Sequence, residues 1–551
     1  MRTPSFLRKV SLTALLAAGF PLSGVAAETR TVCTITVNSA DEREAFREFL
    51  PAERYRFVEL AEPGRPDWLG AACRKQVQCD VLVVSGHFAG TDFYSSKHGG
   101  HLPVDEIERV ACSGSCPELF SKLKEVYLFG CDTLKPEAVK SASPEIVRGL
   151  VRAGHSPGDA ARMAASLSQR HGESARDRMR RIFPEVPVIY GFSSLAPYGQ
   201  VAGPMLRRHF EDGGAGEVGS GEASRRLLRL FGPASMVATE GLRAPEPGAD
   251  YRAEACRYYD DRITAAQRLA FVHEILARDM PEVRMAFDRI ERFLASVGEA
   301  GRAEANFTAV QNALARDGAT RDKYLSLVHE TEDPALRVRM ISLARNLGWL
   351  SAAQQRAELG GMIGDVLARG SAGFSEVDMI CELNRDRAMD AEVARFSVAR
   401  LAATPANAAA LACLGSIESR ARVLHALLSA DESEVQVAQA YLRHRPLADA
   451  SEVRAIVAGI ARMKTAPAQA RALETLARHH VADPPTLAEL AALFARSTHL
   501  RVQRAIAEVF IRSGPAALET PGLASLIRRH RLKSPDGADL IDALIVRLER
   551  T

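Results

Sequence analysis

Two hydrophobic segments of the sequence end in residues that could do nucleophilic chemistry. The first covers residues 80–87 (DVLVVSGH) and ends at His87, and the second covers residues 125–131 (EVYLFGC) and ends at Cys131. Both are runs of β-branched and other apolar residues, which predicts buried strands of a parallel sheet. Since open α/β sheets build their sites at the carboxyl ends of strands, we expect His87 and Cys131 to lie there.

The pairing of a thiol with an imidazole indicates covalent catalysis. A thiol attacks as thiolate, and a neighbouring base is what activates it. Adjacent strands lie about 5 Å apart, so the two side chains would face one substrate if their strands are neighbours. Cys131 would then be the nucleophile, and His87 would orient water and protonate the leaving group while nearby backbone N–H groups hold the oxyanion. The alternative is a core cysteine and an unrelated histidine.

The first 240 residues alternate between strand and helix patterns. Strands are predicted at 31–37, 55–60, 80–87, 125–131 and 186–192, with helices at 41–50, 68–75, 104–123 (interrupted at 112–116), 144–153 and 157–183. This order predicts a mostly parallel sheet covered by helices on both faces. The domain is expected to span residues 28–240.

A linker rich in Gly and Pro is predicted at 241–255, followed by a region of helical periodicity at 256–551. Three similar segments begin at residues 431, 465 and 498, and a fourth begins at 333. A fixed period with a polar start and an amphipathic helix is typical of stacked helix pairs. These segments resemble HEAT-type repeats, which implies a solenoid-like surface for a protein partner. A helical bundle without repeats is the alternative.

The first region resembles the clan CD cysteine peptidases, which include caspases and the bacterial caspase-like CHAT peptidases. The shared pieces are the strand ending at His87, a helix beginning near residues 102–106 (LPVDE), and the second strand with Cys131 and Thr133. The interval from His87 to Cys131 is close to the roughly 50 residues of caspases. The resemblance covers about residues 30–210 and implies a three-layer caspase-like sandwich and endopeptidase activity on a protein or peptide substrate.

The resemblance also implies roles for the residues beside the pair. The oxyanion hole and substrate cleft are expected to involve Gly86, Phe88, Gly130, Asp132, Ser193 and Ser194. One departure is that Phe88 follows the histidine where the family commonly has a glycine. This leaves a second interpretation open, a catalytically inactive scaffold that binds proteins. Asp132 either favours a basic residue before the scissile bond or caps the following helix.

The amino terminus and the cysteines indicate export to the periplasm or beyond. Residues 1–27 have a basic start, an apolar stretch and a final Val-Ala-Ala, which predicts a cleaved signal peptide. Nine cysteines in an exported chain indicate disulfides. The predicted pairs are Cys73 with Cys79, Cys112 with Cys116, Cys33 with Cys256 and Cys381 with Cys413, which leaves Cys131 free. The loop at 212–224 is a candidate site of self-cleavage.

Composition argues against several other classes of function. The formal net charge is only +3, with 25% charged residues, whereas nucleic-acid-binding proteins are usually strongly basic. The mature chain has no stretch that resembles a membrane span. Residues 214–219 match GxGxxG but follow no strand, so we expect a loop and no nucleotide cofactor. No metal site is predicted either.

Overall fold

The structure is a computed structural model that divides into two compact units. It describes residues 29–60, 69–95, 100–138, 141–246, 248–370, 372–390, 404–447, 449–514, 518–519, 522–534 and 539–549. The first unit runs to Phe271 and includes Arg284–Arg289, and the second contains Val272–Val283 and the chain from Ile290 onward. The expected signal peptide, residues 1–27, lies outside the described residues.

A six-stranded sheet forms the centre of the first unit. The strands of this unit are β1 (Arg30–Thr36), β2 (Tyr55–Glu59), β3 (Val81–Ser85), β4 (His87–Phe88), β5 (Asp92–Tyr94), β6 (His101–Pro103), β7 (Glu125–Phe129), β8 (Val188–Phe192) and β9 (Met236–Thr239). The large sheet has the order β2-β1-β3-β7-β8-β9, and only β9 runs antiparallel within it. The predicted, mostly parallel sheet is therefore confirmed. The sequence did not predict the antiparallel edge strand β9 or the small antiparallel sheet β4-β5-β6.

Helices cover both faces of the large sheet. They are α1 (Asp41–Phe49), α2 (Gly70–Arg74), α3 (Val104–Cys112), α4 (Ser143–Arg152), α5 (Pro157–His171), α6 (Ala175–Ile182), α7 (Gly199–Glu211), α8 (Arg225–Phe231) and α9 (Ala249–Cys256), with 3-10 turns at Gly214–Glu217 and Gly232–Ala234. Alternate residues of the central strands of this sheet enter two separate cores. Val81 and Val83 pack with α1, α7 and α8, whereas Leu82 and Val84 pack with α2, α3 and α6.

The predicted helix at 157–183 is two helices. Gly172 ends α5 in the left-handed conformation with φ 63°, which a glycine adopts at little cost. Ser174 then caps α6, since its side chain accepts a hydrogen bond from the backbone N–H of Asp177. The helix predicted at 104–123 ends at Cys112, and no helix follows the interruption at 112–116 in the described residues 117–123. The sequence analysis also did not predict α7 and α8.

Three disulfides lie in the first unit, and their pairing differs from the prediction. They join Cys33 to Cys79, Cys73 to Cys116, and Cys112 to Cys256. The predicted pairs within 73–79 and 112–116, and the pair Cys33 with Cys256, are wrong. Cys79 leads into β3, whose neighbour β1 carries Cys33, so the sheet brings these two together instead. The disulfide of Cys381 with Cys413 in the second unit is confirmed. Four disulfides indicate an oxidising, exported environment.

The stretch 241–255, expected to be a linker, lies within the first unit and contains most of α9. The backbone N–H of Gly241 donates to the carbonyl of Val186 at 2.8 Å. Nearby, the buried carboxylate of Glu108 pairs with Arg181 at 3.1 Å and with Arg289 at 3.2 Å. All three residues are at most 7% exposed, so this ion cluster belongs to the interior of the unit.

The rest of the described chain is helical. The helices after α9 are α10 (Ala265–Leu276), α11 (Met280–Ser296), α12 (Glu299–Arg302), α13 (Ala305–Arg316), α14 (Gly318–Glu330), α15 (Pro334–Asn346), α16 (Ala352–Arg369), α17 (Phe374–Leu383), α18 (Pro405–Cys413), α19 (Ile417–Ala426), α20 (Glu432–His444), α21 (Ala450–Arg462), α22 (Ala466–Leu476), α23 (Pro484–Arg496), α24 (Leu500–Arg512), α25 (Leu523–His530) and α26 (Leu540–Leu548). The expected all-helical second region is confirmed. A search of the described helices finds none with the length and apolar character to cross a membrane.

A period of 34 residues is visible in part of this region. Helices α20, α22 and α24 begin at residues 432, 466 and 500, and α21 and α23 begin at 450 and 484. Helices of the first set pack on one another, as do helices of the second set. The similar sequence segments at 431, 465 and 498 correspond to the starts of the first set.

Candidate active site

The central strands β3 and β7 of the large sheet are neighbours, and their carboxyl ends lie side by side. Ser85 pairs with Phe129 in the parallel register, and the backbone N–H of Gly86 donates to the carbonyl of Phe129 at 3.1 Å. His87 and Cys131 each follow two residues beyond this pair, so they stand at matching positions. Both line one open cleft. Its walls are Asn38, Ser39, Glu42, Gly86, His87, Phe129, Gly130, Cys131 and residues 195–199.

The turn that carries Cys131 is fixed to the end of β8. The hydroxyl of Thr133 donates to the carbonyl of Gly130 at 3.1 Å and accepts from the backbone N–H of Phe192 at 3.1 Å. The backbone N–H of Asp132 donates to the carbonyl of Ser194 at 2.7 Å. Because Asp132 has φ 59°, the chain reverses sharply just after the cysteine. These bonds hold the Cys131 backbone in a single place.

Gly130 lets the two strand ends approach each other closely. A Cβ atom at this position would stand 2.9 Å from the carbonyl oxygen of Gly86 and 2.9 Å from the Cβ of Phe88. Real Cβ atoms essentially never come this close to another heavy atom. The position therefore requires glycine, and the close approach brings the Cys131 turn against β4.

Cys131 is the one free thiol among the nine cysteines. Its side chain is half-buried, and its Sγ accepts a hydrogen bond from the backbone N–H of Ala196 at 3.3 Å. Among the described residues, none accepts a hydrogen bond from the backbone N–H of Cys131 itself. The expectation of a free Cys131 is confirmed.

His87 is held by a polar pair that the sequence did not reveal. Its Nε2 lies 3.3 Å from Nδ2 of Asn38, and Oδ1 of Asn38 accepts from the hydroxyl of Ser95 at 3.0 Å. The amide nitrogen of Asn38 can only donate, so Nε2 of His87 is the acceptor of this contact. The rings of Tyr94 and Tyr198 lie 5.3 and 6.0 Å from the imidazole, centroid to centroid. The imidazole is thus oriented from two sides.

Phe88 occupies the position where the resembling family commonly has glycine. Its side chain is buried against the ring of Phe93, with the centroids 4.9 Å apart. The backbone N–H of Ala89 donates to the carbonyl of Asp92, and antiparallel ladders alternate between bonded and non-bonded pairs. The pair Phe88–Phe93 is then of the non-bonded kind, so the N–H of Phe88 points away from β5, on the free edge of the small sheet.

The remaining predicted site residues lie around the cleft without lining it. The carboxylate of Asp132 pairs with Lys135 at 3.5 Å. Ser193 and Ser194 both bond to Ser235, through the backbone N–H of each and the hydroxyl of Ser193. The chain beyond them supplies the wall instead, with Leu195 and Tyr198 largely exposed at its rim.

Glu42 is the one carboxylate among the described residues that line the cleft. It lies in the first turn of α1, it is only 3% exposed, and its Oε2 atom has no hydrogen-bond partner among the described residues. Burial raises the pKa of Glu42 from 4.5 to about 7, and repulsion from Asp41 adds to this, against hydrogen bonds to the backbone, Ser85 and Ser39 that lower it. Acidic residues are usual in a first helical turn, so the sequence offered no sign of this burial.

No group of three His, Cys, Asp or Glu side chains in the described part of the chain is arranged to hold a metal ion. The site is therefore a cleft with one thiol, one imidazole and one buried carboxyl group. Comparisons of this chain with protein families, with curated proteins and with solved structures find no match.

Proposed function

We propose that the first unit is a caspase-like cysteine endopeptidase with a three-layer sandwich fold, in which Cys131 is the nucleophile and His87 the general acid and base. The observation that carries this proposal is the placement of both side chains at matching positions beyond two paired strands, in one cleft. The free state of Cys131 supports it, because the other eight cysteines are paired. In an oxidising compartment most cysteines form disulfides, so a cysteine that stays free favours a functional role for its thiol.

The proposed reaction has two steps. His87 takes the thiol proton of Cys131 as Sγ attacks the carbonyl carbon of the scissile peptide bond, and the resulting oxyanion accepts hydrogen bonds from the backbone N–H groups of Cys131 and Phe88. His87 delivers a proton to the leaving amine as the C–N bond breaks and a thioester forms. Water, with one proton taken by His87, then attacks the thioester carbonyl carbon. The C–S bond breaks, the acid leaves, and His87 returns the proton to Sγ of Cys131. No cofactor or metal enters this reaction.

The hydrolysis assay should use the oxidised protein secreted to a bacterial periplasm. We expect it to cleave members of an unbiased peptide mixture, with cleavage sites located by mass spectrometry. Cys131→Ala should abolish cleavage, and His87→Ala should slow it about 100-fold or more. His101→Ala is the matched control, because this histidine is exposed and pairs with Asp92 outside the cleft lining; its rate should stay near that of the wild type.

An independent measurement is the alkylation of Cys131 by iodoacetamide at pH 6. Labelling should be faster in the wild type than in His87→Ala, because the imidazole promotes formation of the thiolate. Equal labelling rates together with no peptide cleavage would favour the second interpretation, an inactive scaffold that binds proteins. The burial of Phe88 against Phe93 is the observation that favours that interpretation.

We further propose that the second unit binds the protein substrate or a partner through HEAT-like stacked helices. The 34-residue spacing of α20, α22 and α24 supports this, because stacked repeats present an extended surface to proteins. The Cys131→Ala variant would retain its protein substrate uncleaved. When the two are crosslinked, the crosslinked residues of the variant should lie within 290–551. Crosslinks confined to the first unit would contradict this part of the proposal.

A further inference from the structure

Ser235 holds the chain segment that contacts Cys131. Its carbonyl accepts from the backbone N–H of Ser193 at 3.0 Å and from the Ser193 hydroxyl at 3.2 Å. Its own hydroxyl accepts from the backbone N–H of Ser194 at 3.1 Å and donates to the carbonyl of Leu195 at 3.4 Å. A single residue just before β9 therefore fixes three consecutive residues beyond β8.

The peptide group between Leu195 and Ala196 connects Ser235 to the thiol. Its carbonyl oxygen accepts from the hydroxyl of Ser235, and its N–H donates to Sγ of Cys131 at 3.3 Å. Because a peptide group is planar, fixing its carbonyl also fixes the direction of its N–H. Hydrogen bonds in such a chain polarise one another, so the serine hydroxyl also makes this N–H a stronger donor.

Neither packing nor backbone preference explains this arrangement. The side chain of Leu195 is 74% exposed, so its packing does little to hold the peptide group in place. Ser235 has φ 63°, in the left-handed region that residues other than glycine seldom adopt. Strain of this kind persists only where the surrounding structure imposes it, and it is concentrated at functional sites. Ser235 is thus held in an unfavourable conformation from which it reaches residues 193–195.

An N–H group directed at sulfur stabilises the thiolate more than the thiol, because a charged acceptor forms the stronger hydrogen bond. We propose that Ser235 is a positioning residue for the nucleophile. Through the peptide group of Leu195 and Ala196 it presents an N–H to the Cys131 thiolate, which increases the fraction of thiolate near neutral pH. This inference rests on the proposed function for its assignment of Cys131 as the nucleophile.

Substitution of Ser235 leaves the other titratable groups around Cys131 in place. A change in the pH dependence of Cys131 would therefore report the loss of the Ser235 hydroxyl. The groups that stay are His87, Tyr198 and Glu42 in the cleft lining and the pair of Asp132 with Lys135 on the same turn.

The test is the rate at which iodoacetamide alkylates Cys131 of the full, oxidised protein, measured from about pH 5 to about pH 9.5. Ser235→Ala and Ser235→Gly both remove the hydroxyl, and the glycine variant also relieves the left-handed backbone. In both variants the midpoint of the pH profile should rise by about 0.5 to 1 pH unit, so the rate at pH 6 should fall about three- to tenfold. The plateau rate at high pH should stay within about twofold of the wild type.

Two results distinguish positioning from a merely structural role. A structural role would change the plateau rate, or it would affect Ser235→Ala and spare Ser235→Gly, and either result would contradict the inference. Thr239→Ala is the matched control, because it removes a hydroxyl of β9 that donates to the carbonyl of Glu240 at 3.5 Å. It should keep the midpoint of the wild type.

A measurement on the wild type does not depend on how well a variant folds. In protein labelled with 15N-alanine, the amide resonance of Ala196 is identified by its absence in Ala196→Ser. It should move with pH, with the same midpoint as the alkylation of Cys131, and the movement should disappear in Cys131→Ala.

The outcomes separate the inference from the proposed function. Unchanged midpoints in both Ser235 variants, in a protein that cleaves peptides, would overturn the inference and leave the peptidase proposal in place. An Ala196 amide that does not follow the ionisation of Cys131 would overturn it as well. Raised midpoints in variants of a protein that cleaves no peptide would support the positioning of the thiolate by Ser235 and overturn the peptidase proposal.

Discussion

Glu42→Gln should change how the stability of the first unit depends on pH. In the folded protein the pKa of Glu42 is about 7, against an ordinary value of 4.5 that we take for the unfolded chain. Below pH 4.5 both states hold the proton, and the neutral carboxyl group contributes its full stability. As the pH rises from 4.5 through 7, the unfolded chain releases its proton first, so the free energy of unfolding falls.

The size of the effect follows from the two pKa values. They differ by about 2.5 pH units, and each unit is equivalent to about 1.4 kcal/mol, so the wild type should lose about 3 kcal/mol between pH 4 and pH 8 through this group. Glutamine does not titrate, so Glu42→Gln should lack this loss. The difference between the two proteins in free energy of unfolding should therefore shift by about 3 kcal/mol in favour of the variant at high pH.

The assay is hydrogen exchange at increasing urea, measured by mass spectrometry on peptides that cover β3 and β7. These strands lie at the centre of the sheet, so their slowest amides report the unfolding of the first unit and not of the second. Glu44→Gln is the matched control, because Glu44 lies on the same helix with an exposed side chain. It should follow the wild type at every pH. If the free energies of unfolding of the wild type and of Glu42→Gln differ by the same amount at pH 4 and at pH 8, the reasoning is refuted.

Three further substitutions test the scaffold of the site. Thr133→Val keeps the shape but removes the hydroxyl between two backbone segments, and it should cost about 1–3 kcal/mol in urea unfolding and slow the alkylation of Cys131. Gly130→Ala should abolish the dependence of alkylation on His87, because the added Cβ forces the two strand ends apart. Glu108→Gln leaves Arg181 and Arg289 buried without their anion, and the loss should reach about 3–5 kcal/mol in the same unfolding assay. An unfolding free energy within about 0.5 kcal/mol of the wild type, the range usual for surface substitutions, would contradict the first and the third.

The sequence predicted the part of the site that depends on strand ends. A run of apolar residues indicates a buried strand, and its last residue indicates where the chain leaves the sheet, so the pattern alone was enough to place His87 and Cys131 at one edge. The periodicity of apolar residues predicted that the second unit is helical. It also placed Cys381 and Cys413 on neighbouring helices, which led to their correct pairing.

The rest of the site depends on contacts that form only when distant segments meet. Asn38 contacts His87 from the loop after β1, and Ser95 holds Asn38 from the position just after β5. Neither residue has a local sequence pattern that marks it. Glu42 has the sequence context of an ordinary exposed first-turn acid. The predicted pairing of the cysteines in the first unit was wrong for a related reason. Short sequence separation suggested Cys73 with Cys79 and Cys112 with Cys116, but the fold brings each of these four cysteines next to a more distant one.

The three disulfides of the first unit close loops that overlap along the chain, at 33–79, 73–116 and 112–256. Every peptide bond between residues 33 and 256 therefore lies inside at least one covalent ring. A single cut in this range, including one in the candidate self-cleavage loop at 212–224, leaves the two fragments covalently joined. A protein nicked in that loop would run as one species on a gel until it is reduced, and the disulfide of Cys112 with Cys256 would keep β9 joined to the fragment that carries His87 and Cys131.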